Sequence, residues 1–442
     1  MNIKYNVFKL KNGMKIVYIP RQNHPTTSIC VIIRVGSRNE TETLYGASHF
    51  LEHMCFKGTK NRPTSKFITG ELDSVGAFFN AYTGKNVTCY MVKIDSDHLK
   101  KGIDILSDML LNSKITAKDM KVEKRIVTEE INKSKDDPDD LISEFIMKMI
   151  YKNHPLGRSI GSDEKHIANY KRTEVLNYFK QHYTANNMVV SISSNLSLQK
   201  IKTLIGSSVF AKFKSNKKSI QHVPIPMNIQ HEMRCQVKQK KHLEQTILTM
   251  GFPTCNMYHT DRYVLDLIRI LLAGNMSSRL FKSLREKYGI TYNVAIDTSY
   301  YMDNGHFLIH TNLTKDCLLY KCPKTKTPGG LPIIIDNLIK LKINNISNKE
   351  LDRVKGFFKG QILLEKESSI SVTDYFGKQI LFNYKPINDF NYILKKISKI
   401  TVSDIKTICQ KYFDFSKCNI VVFGNYKANE IKKFVKTHCN NC

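Results

Sequence analysis

A weak internal repeat constrains the fold of this chain more than any other feature of its sequence. Residues 346–351 (ISNKEL) resemble residues 115–120 (ITAKDM) at an offset of 231 positions. A similarity between segments separated by such an offset indicates that the chain contains two copies of one domain. The polar, basic stretch before 227 is typical of a linker between such copies. We therefore predict an N-terminal domain, a linker and a homologous C-terminal domain, with the boundaries 1–213, 214–226 and 227–442.

Residues 48–54 (SHFLEHM) follow a glycine, Gly46, and contain His49 and His53 with Glu52 between them. If the segment is helical, the two histidines lie on one face, so both imidazoles can reach one metal ion. A zinc hydrolase needs such ligands, an open position for water and a carboxylate that takes a proton from that water. The order is the inverse of the commoner His-Glu-x-x-His motif. Taken alone, the pattern also fits core or capping histidines beside a solvated Glu52.

A third ligand is expected from a second helix, because two histidines alone hold zinc weakly. Residues 118–133 have the spacing of an amphipathic helix and carry Glu123 and Glu130 seven positions apart, on one face. This spacing favours Glu130 as the ligand and Glu123 as a carboxylate that orients a histidine. Glu129 is the alternative ligand, but it points about 100° away from the Glu123 face. The predicted apolar positions of the helix are Met120, Val122, Ile126, Val127 and Ile131.

The second copy of the repeat lacks this ligand set. At an offset of about 230 positions, residues 48–53 align with residues 278–283 (SRLFKS), and at 231 positions Glu130 aligns with Gln361. A copy that keeps the apolar pattern without the ligands indicates one catalytic half and one supporting half.

These motifs resemble those of the pitrilysin family of inverted-motif zinc peptidases, and in particular its short, two-domain branch of processing-type peptidases. The likeness rests on residues 48–54, on FKGT at 56–59, on FNAYT at 79–83 and on the segment 123–130. It extends over nearly the whole chain. The resemblance implies an α+β fold of two homologous domains, each a mainly antiparallel sheet with helices packed on one face. The two domains would form a clam-like half chamber.

By this resemblance, the chain binds one Zn²⁺ ion and cleaves unfolded peptides or protein presequences as an endopeptidase. The implied ligands are His49, His53 and Glu130, with Glu52 as the general base and Glu123 as the supporting carboxylate. Members of this branch are expected to form a homodimer, or a heterodimer with a related subunit. The alternative is a non-catalytic or partner-dependent subunit of such a dimer, although these subunits usually lack the ligand set that is present here.

Two further pairs of residues take their roles from the family. Asn80 and Ala81 would begin an exposed edge strand, which offers unpaired N–H and C=O groups to the backbone of a peptide. The alternation of apolar residues predicts that this strand covers 80–94. Arg285 and Tyr292 would come from the supporting half, hold the substrate and stabilise the tetrahedral intermediate. By residue type alone, an exposed arginine and a core tyrosine fit these two positions as well.

Charge and hydropathy narrow the remaining function classes. The chain of 442 residues has a net charge of +29, which could attract nucleic acid. Its lysines are spread along the sequence without an aromatic-interleaved basic module, so the sequence argues against nucleic-acid binding and favours a solvated basic surface. It shows no apolar run of membrane-spanning length and no apolar core of a signal peptide near the N-terminus.

The eleven cysteines are scattered, and an odd number cannot pair completely within the chain. Cys30, Cys89 and Cys418 lie in apolar runs and are expected to be buried as small hydrophobic residues. This usage favours a reducing, cytoplasmic location. Residues 317–332 are rich in lysine, proline and glycine, so we expect an inserted, mobile surface loop there.

Overall fold

The computed structural model of the chain describes residues 3–216, 232–239, 243–323, 325–343 and 346–440. Its strands are β1 Asn6–Lys9, β2 Lys15–Pro20, β3 Thr26–Ile33, β4 Phe78–Thr83, β5 Thr88–Asp95, β6 Met188–Ser194, β7 Arg234–Lys238, β8 Gln245–Thr254, β9 Thr291–Tyr300, β10 Gly305–Thr314 and β11 Asn419–Phe423. Its α-helices are α1 Ala47–Cys55, α2 Ser65–Asp73, α3 Leu99–Asn112, α4 Ala117–Asp136, α5 Pro138–Tyr151, α6 Glu164–Ala168, α7 Arg172–His182, α8 Leu198–Gly206, α9 Asp261–Ala273, α10 Gly330–Lys342, α11 Asn348–Glu367, α12 Ser369–Leu381, α13 Phe390–Ser398, α14 Val402–Tyr412 and α15 Ala428–Asn440.

The first compact unit comprises the described residues of Met1–Lys133, Arg158–His222 and Ile362–Tyr392. Its sheet has the strand order β1-β2-β6-β3-β5-β4. Neighbouring strands are antiparallel except β2 and β6, which are parallel. The central strand β3 is buried along almost its whole length, as expected for a strand that is covered on both faces.

Helices cover both faces of this sheet. Helices α1 and α3 pack on the face that contains the main hydrophobic core. Helix α12 packs on the other face, where Gly377 lies so close to Ile32 and Ser191 that an added Cβ atom would collide with both side chains. At the start of α12, the hydroxyl groups of Ser369 and Ser28 are 2.8 Å apart. The predicted boundaries had placed this helix in the other domain.

The second compact unit comprises the described residues of Ser134–Gly157, Val223–Gln361 and Ile393–Cys442. Its sheet has the order β7-β11-β8-β10-β9, and the pair β7 and β11 is the parallel one. Helix α5 packs on β8 and β11. The contact uses an apolar stripe with helical spacing, which consists of Ile142, Ile146 and Ile150.

The predicted α+β class with two sheet-based units is confirmed by this architecture. The expectation of helices on one face is wrong for the first sheet, because α12 covers its second face. The compact units are not consecutive halves of the chain, because α5 belongs to the second sheet and α12 to the first. Helix α5 comes from the predicted domain 1–213 but packs on the second sheet, and α12 comes from the predicted domain 227–442 but packs on the first sheet. Residues 217–226 of the predicted linker lie outside the described residues.

The prediction of one strand over 80–94 is wrong. The segment forms two antiparallel strands, β4 and β5, joined by a turn in which the Gly84 N–H donates a hydrogen bond to the Val87 carbonyl at 2.8 Å. Residues 83–86 (TGKN) carry no apolar side chain, so the alternation breaks at the turn, and the glycine there is a turn signal that the prediction missed. As predicted, the strand that contains Asn80 and Ala81 lies at the edge of its sheet.

The predicted surface loop over 317–332 is exposed in its middle, at Lys321, Pro323 and Lys326, but the prediction is wrong at both ends. Cys317 and Leu318 are buried, Cys317 is disulfide-bonded to Cys322, and α10 begins within the segment. The buried positions of Cys30, Cys89 and Cys418 agree with the prediction, and they were placed correctly because they lie in apolar runs. Within the described ranges, no helix has both the length and the apolar character to span a membrane.

Candidate active site

Helix α1 begins directly after a glycine in the left-handed conformation. Gly46 has a φ of 88°, which a residue without a Cβ atom adopts at little cost. The buried Glu40 carboxylate accepts hydrogen bonds from the N–H groups of Gly46, at 2.7 Å, and Ser48, at 2.8 Å. These amides lie at a helix N-terminus, where backbone donors have no partner within the helix. Glu40 therefore fixes the start of the helix that carries His49.

The two histidines of the motif project from one face of α1, as their spacing predicts. Their Nε2 atoms are 3.2 Å apart. Glu130 Oε2, on α4, lies 3.9 Å from His49 Nε2 and 3.6 Å from His53 Nε2. Among the described residues, these three side chains are the one group of histidine, cysteine and acidic residues with the geometry to hold a metal ion. Two imidazole nitrogens and a carboxylate oxygen are a donor set that zinc prefers.

The protonation state of His49 fits a metal ligand. Burial, followed by the charge of His53, lowers the pKa of His49 to about 4. The imidazole is therefore neutral at neutral pH, as metal coordination requires. The Glu130 side chain is 45% exposed, so solvent reaches one side of the group. The residues present thus fit a zinc ion with room for a water molecule.

Comparison with known proteins decides the family. Residues 15–164 match the family described as insulinase (peptidase family M16), and residues 169–356 match the peptidase M16 inactive domain. An uncharacterized zinc protease of Rickettsia felis is 32% identical over 431 residues, which cover 96% of this chain and 99% of the relative. The chain belongs to peptidase family M16. The family resemblance predicted from the motifs is confirmed.

Other M16 relatives match along the whole chain. The uncharacterized zinc protease YmxG of Bacillus subtilis is 31% identical over 95% of this chain and 98% of its own length. A protease from Helicobacter pylori has a solved structure that superposes with a TM-score of 0.88 at 23% identity, over 95% of this chain and 99% of its own. A peptidase M16 inactive domain structure from Pseudomonas fluorescens gives 0.83 at 19% identity, over 96% and 99%. At these identities the two structures show the fold alone.

In this M16 chain, Glu123 is placed to orient His53. Its Oε1 lies 2.8 Å from His53 Nδ1, its side chain is 2% exposed, and Lys57 forms an ion pair with its other oxygen. Burial would raise the pKa of Glu123, but hydrogen bonds from His53 and Lys57 outweigh burial and hold that pKa below its usual value. The ionised carboxylate accepts a hydrogen bond from the Nδ1–H group, which leaves Nε2 to face the other ligand atoms.

Glu52 lies beside the ligands on α1 and contacts the edge strand. The Thr83 hydroxyl, at the end of β4, donates a hydrogen bond to Glu52 Oε2 at 2.5 Å. Burial raises the pKa of Glu52, while the Thr83 hydrogen bond and the charge of His53 oppose that rise. A carboxylate with a raised pKa takes up a proton more readily, which suits a general base.

The edge strand carries a local feature at the two predicted substrate-binding residues. The Ala81 N–H donates a hydrogen bond to the side-chain Oδ1 of its neighbour Asn80 at 2.8 Å. Both residues lie on β4, which has β5 as its one neighbour in the order of described strands. The Asn80 side chain thus accepts a hydrogen bond from a backbone N–H group of the edge strand.

Arg285 and Tyr292 belong to the second compact unit and lie together there. The Arg285 guanidinium lies over the Tyr292 ring, 4.5 Å from the ring centroid, and donates a hydrogen bond to the Tyr292 carbonyl at 3.2 Å. Tyr292 is 75% exposed. The alternative of a core tyrosine at this position is therefore wrong. The pair offers a cation and an accessible phenol on one surface.

Sequence reasoning assigned no role to three residues that contact the site: Glu40, Lys57 and Thr83. Lys57 and Thr83 stand inside the FKGT and FNAYT motifs that carried the resemblance, so a signal for both was present. Glu40 precedes the helix that it caps by several residues and has no comparable motif around it. Long-range capping of this kind depends on how the intervening chain turns.

The predicted apolar face of α4 needs one correction. Met120, Val127 and Ile131 are buried as predicted, but Val122 and Ile126 are each 40% exposed. The buried stripe of the helix therefore excludes these two apolar residues and includes the acidic Glu123 instead.

Proposed function

We propose that this M16 chain is a zinc-dependent endopeptidase that cleaves unfolded peptides or protein presequences. The observation that carries the proposal is the convergence of His49, His53 and Glu130, whose ligand atoms lie 3.2 to 3.9 Å apart. Glu52 stands on the same helix as the two histidines. The names of the relatives, which are uncharacterized zinc proteases, support the assignment.

The residues of the candidate site have separate roles in the proposed hydrolysis. Zinc, when held by His49, His53 and Glu130, supplies Lewis-acid polarisation of the scissile carbonyl and acidifies water. Glu52 takes a proton from the attacking water and delivers it to the departing amine. Thr83 holds one oxygen of the Glu52 carboxylate, so the other oxygen is available for that proton.

Substrates bind as an added strand on the edge of the first sheet. Strand β4 lies at that edge, and an extended peptide that pairs with it is held through its backbone. A peptide carbonyl takes the place of the Asn80 side chain on the Ala81 N–H. Recognition through the backbone selects unfolded segments and tolerates many side chains.

Arg285 and Tyr292 hold the substrate and stabilise the tetrahedral intermediate in this proposal. Their adjacency and the exposure of Tyr292 support a role for both in one site. A guanidinium charge and a phenolic donor are suited to a developing oxyanion. We further propose that the peptidase acts as a homodimer or as a heterodimer with a related subunit. A cytoplasmic location agrees with the buried cysteines that form no disulfide in the described ranges, whereas the Cys317–Cys322 disulfide argues against it.

The test is cleavage of a pool of unstructured peptides by wild type, Glu52→Gln and Glu129→Gln, with zinc bound per chain measured for each. We expect wild type and Glu129→Gln to cut, Glu52→Gln to lose about 10² to 10⁴ in rate, and all three to hold one zinc ion. Cleavage by Glu52→Gln at the wild-type rate would refute the base assignment. Full zinc occupancy without cleavage by the wild type would favour the alternative of a partner-dependent subunit.

A further inference from the structure

At its C-terminal end, the edge strand β4 forms side-chain hydrogen bonds to helices on both faces of the sheet. On one face, Thr83 donates its hydrogen bond to Glu52 on α1. On the other face, the Tyr82 hydroxyl donates to Asp374 Oδ1 on α12 at 2.5 Å. Consecutive strand residues point to opposite faces of a sheet, so two adjacent side chains connect the strand to two different helices.

Asp374 is itself held in place. Lys378, one turn further along α12, lies 2.6 Å from Asp374 Oδ2 and 4.9 Å from the centroid of the Tyr82 ring. The Asp374 side chain is 20% exposed, so solvent screens this pair less than an ion pair on the open surface. Burial raises the pKa of Tyr82 far above its ordinary value, and the phenol therefore stays protonated and donates.

Helix α12 packs closely on the centre of the sheet, so it can hold Asp374 in a fixed position. Gly377 lies against Ile32 of β3, and Ser369 contacts Ser28 of the same strand. Strand β4, by contrast, is hydrogen-bonded to β5 along one side, with its other side open in the order of described strands. The contact between Tyr82 and Asp374 therefore links an edge strand to a helix that packs on the centre of the sheet.

We propose that Tyr82 and Asp374 are positioning residues of the peptidase, which hold β4 so that the Thr83 hydroxyl stays on Glu52. The effect on catalysis rests on the proposed function, whereas the hydrogen bond between Tyr82 and Asp374 can be tested without measuring turnover. Helix α12, which comes from the C-terminal half of the sequence, then contributes to the geometry of the catalytic half.

The first experiment measures amide hydrogen exchange in the zinc-loaded full-length chain. Tyr82→Phe removes the hydroxyl and keeps the ring. Tyr375→Phe is the matched control, because Tyr375 is adjacent to Asp374 on α12 but its hydroxyl donates a hydrogen bond to the Asn388 carbonyl at 2.6 Å. We expect the β4 amides to exchange about tenfold faster in Tyr82→Phe, as for the loss of one hydrogen bond, and to be unchanged in the control. Equal exchange in wild type and Tyr82→Phe would overturn the proposal.

The second experiment separates positioning from general destabilisation. Tyr82→Phe should lower kcat for a peptide about tenfold at unchanged zinc content, because small displacements of a catalytic group reduce rates. In a Thr83→Val background the same change should cost less than about twofold, since both substitutions break one path to Glu52. Independent, multiplying losses would contradict the proposal. If the wild type cuts no peptide, the proposed function fails, and the exchange experiment still decides whether β4 is tied to α12.

Discussion

His53 Nδ1 and Glu123 Oε1 lie 2.8 Å apart, so a residue outside the proposed ligand set contacts one of the proposed ligands. Removing such a supporting carboxylate typically weakens metal binding 10- to 100-fold. We expect Glu123→Ala to raise the Kd for zinc by about that factor, as measured by competition with a chelating dye. Lys57→Met should weaken binding less, because it leaves the contact between Glu123 and His53 in place. Wild-type affinity in Glu123→Ala would contradict this role.

The identity of the third ligand can be tested with two adjacent residues. Glu130 Oε2 lies within 4 Å of both histidine Nε2 atoms, whereas Glu129 is exposed and belongs to a different face of α4. Glu130→Ala should therefore reduce bound zinc to well below one ion per chain after dialysis, while Glu129→Ala keeps it. Elemental analysis of the two variants and wild type gives the answer. The opposite pattern would make Glu129 the ligand.

Glu40 predicts a pH dependence of stability. Burial raises the pKa of Glu40 from the usual 4.5 to about 7. In the unfolded chain the carboxyl loses its proton near pH 4.5, whereas the folded chain keeps that proton until about pH 7. Its contribution to stability is therefore complete below pH 4.5 and is lost as the pH rises to 7, by up to about 3 kcal/mol.

Glu40→Gln isolates this effect from the titration of other buried groups. The free energy of unfolding of wild type, relative to Glu40→Gln, should decrease between pH 4.5 and 7 and stay constant above pH 7. Urea titrations at several pH values measure the difference. A difference that does not change with pH would show that Glu40 has an ordinary pKa in the folded chain.

The two helices of the candidate metal site could be predicted because the spacing of their residues is local information. The spacing of His49 and His53 fixes their common face if the segment is helical, and the same argument selected Glu130 over Glu129 on α4. The geometry brings the three expected ligand atoms together. Lys57 and Thr83 were open to prediction as well, since they belong to the FKGT and FNAYT motifs.

The exchange of helices between the two units could not be predicted from local patterns. The apolar stripe of α5 shows that the helix packs on something, but it does not specify which of two similar sheets receives it. The same holds for α12, whose small residue Gly377 has meaning only against Ile32 of a distant strand. The contact between Tyr82 and Asp374 depends on that packing, so local sequence patterns could not predict it either.

The packing of α12 on the first sheet provides a stability test. A Cβ atom at Gly377 would collide with the Ile32 side chain and with Ser191, and overpacking of a core usually costs about 1 to 3 kcal/mol. Gly70→Ala is the matched control, because Gly70 lies within helix α2 of the same unit with no described atom within 4 Å of an added Cβ. That change should be neutral or stabilising by up to about 1 kcal/mol.

Ile32→Val removes a methylene from the side chain that collides with the added Cβ atom, so the double variant with Gly377→Ala tests the cause directly. On its own, Ile32→Val should cost about 0.5 to 1.5 kcal/mol. Combined with Gly377→Ala, it should recover part of the lost stability, because the two residues share one space. The midpoints of urea unfolding of the four chains give the coupling. Simple addition of the two losses would mean that α12 relieves the collision by moving away from β3, and the contact between Asp374 and Tyr82 should then weaken as well.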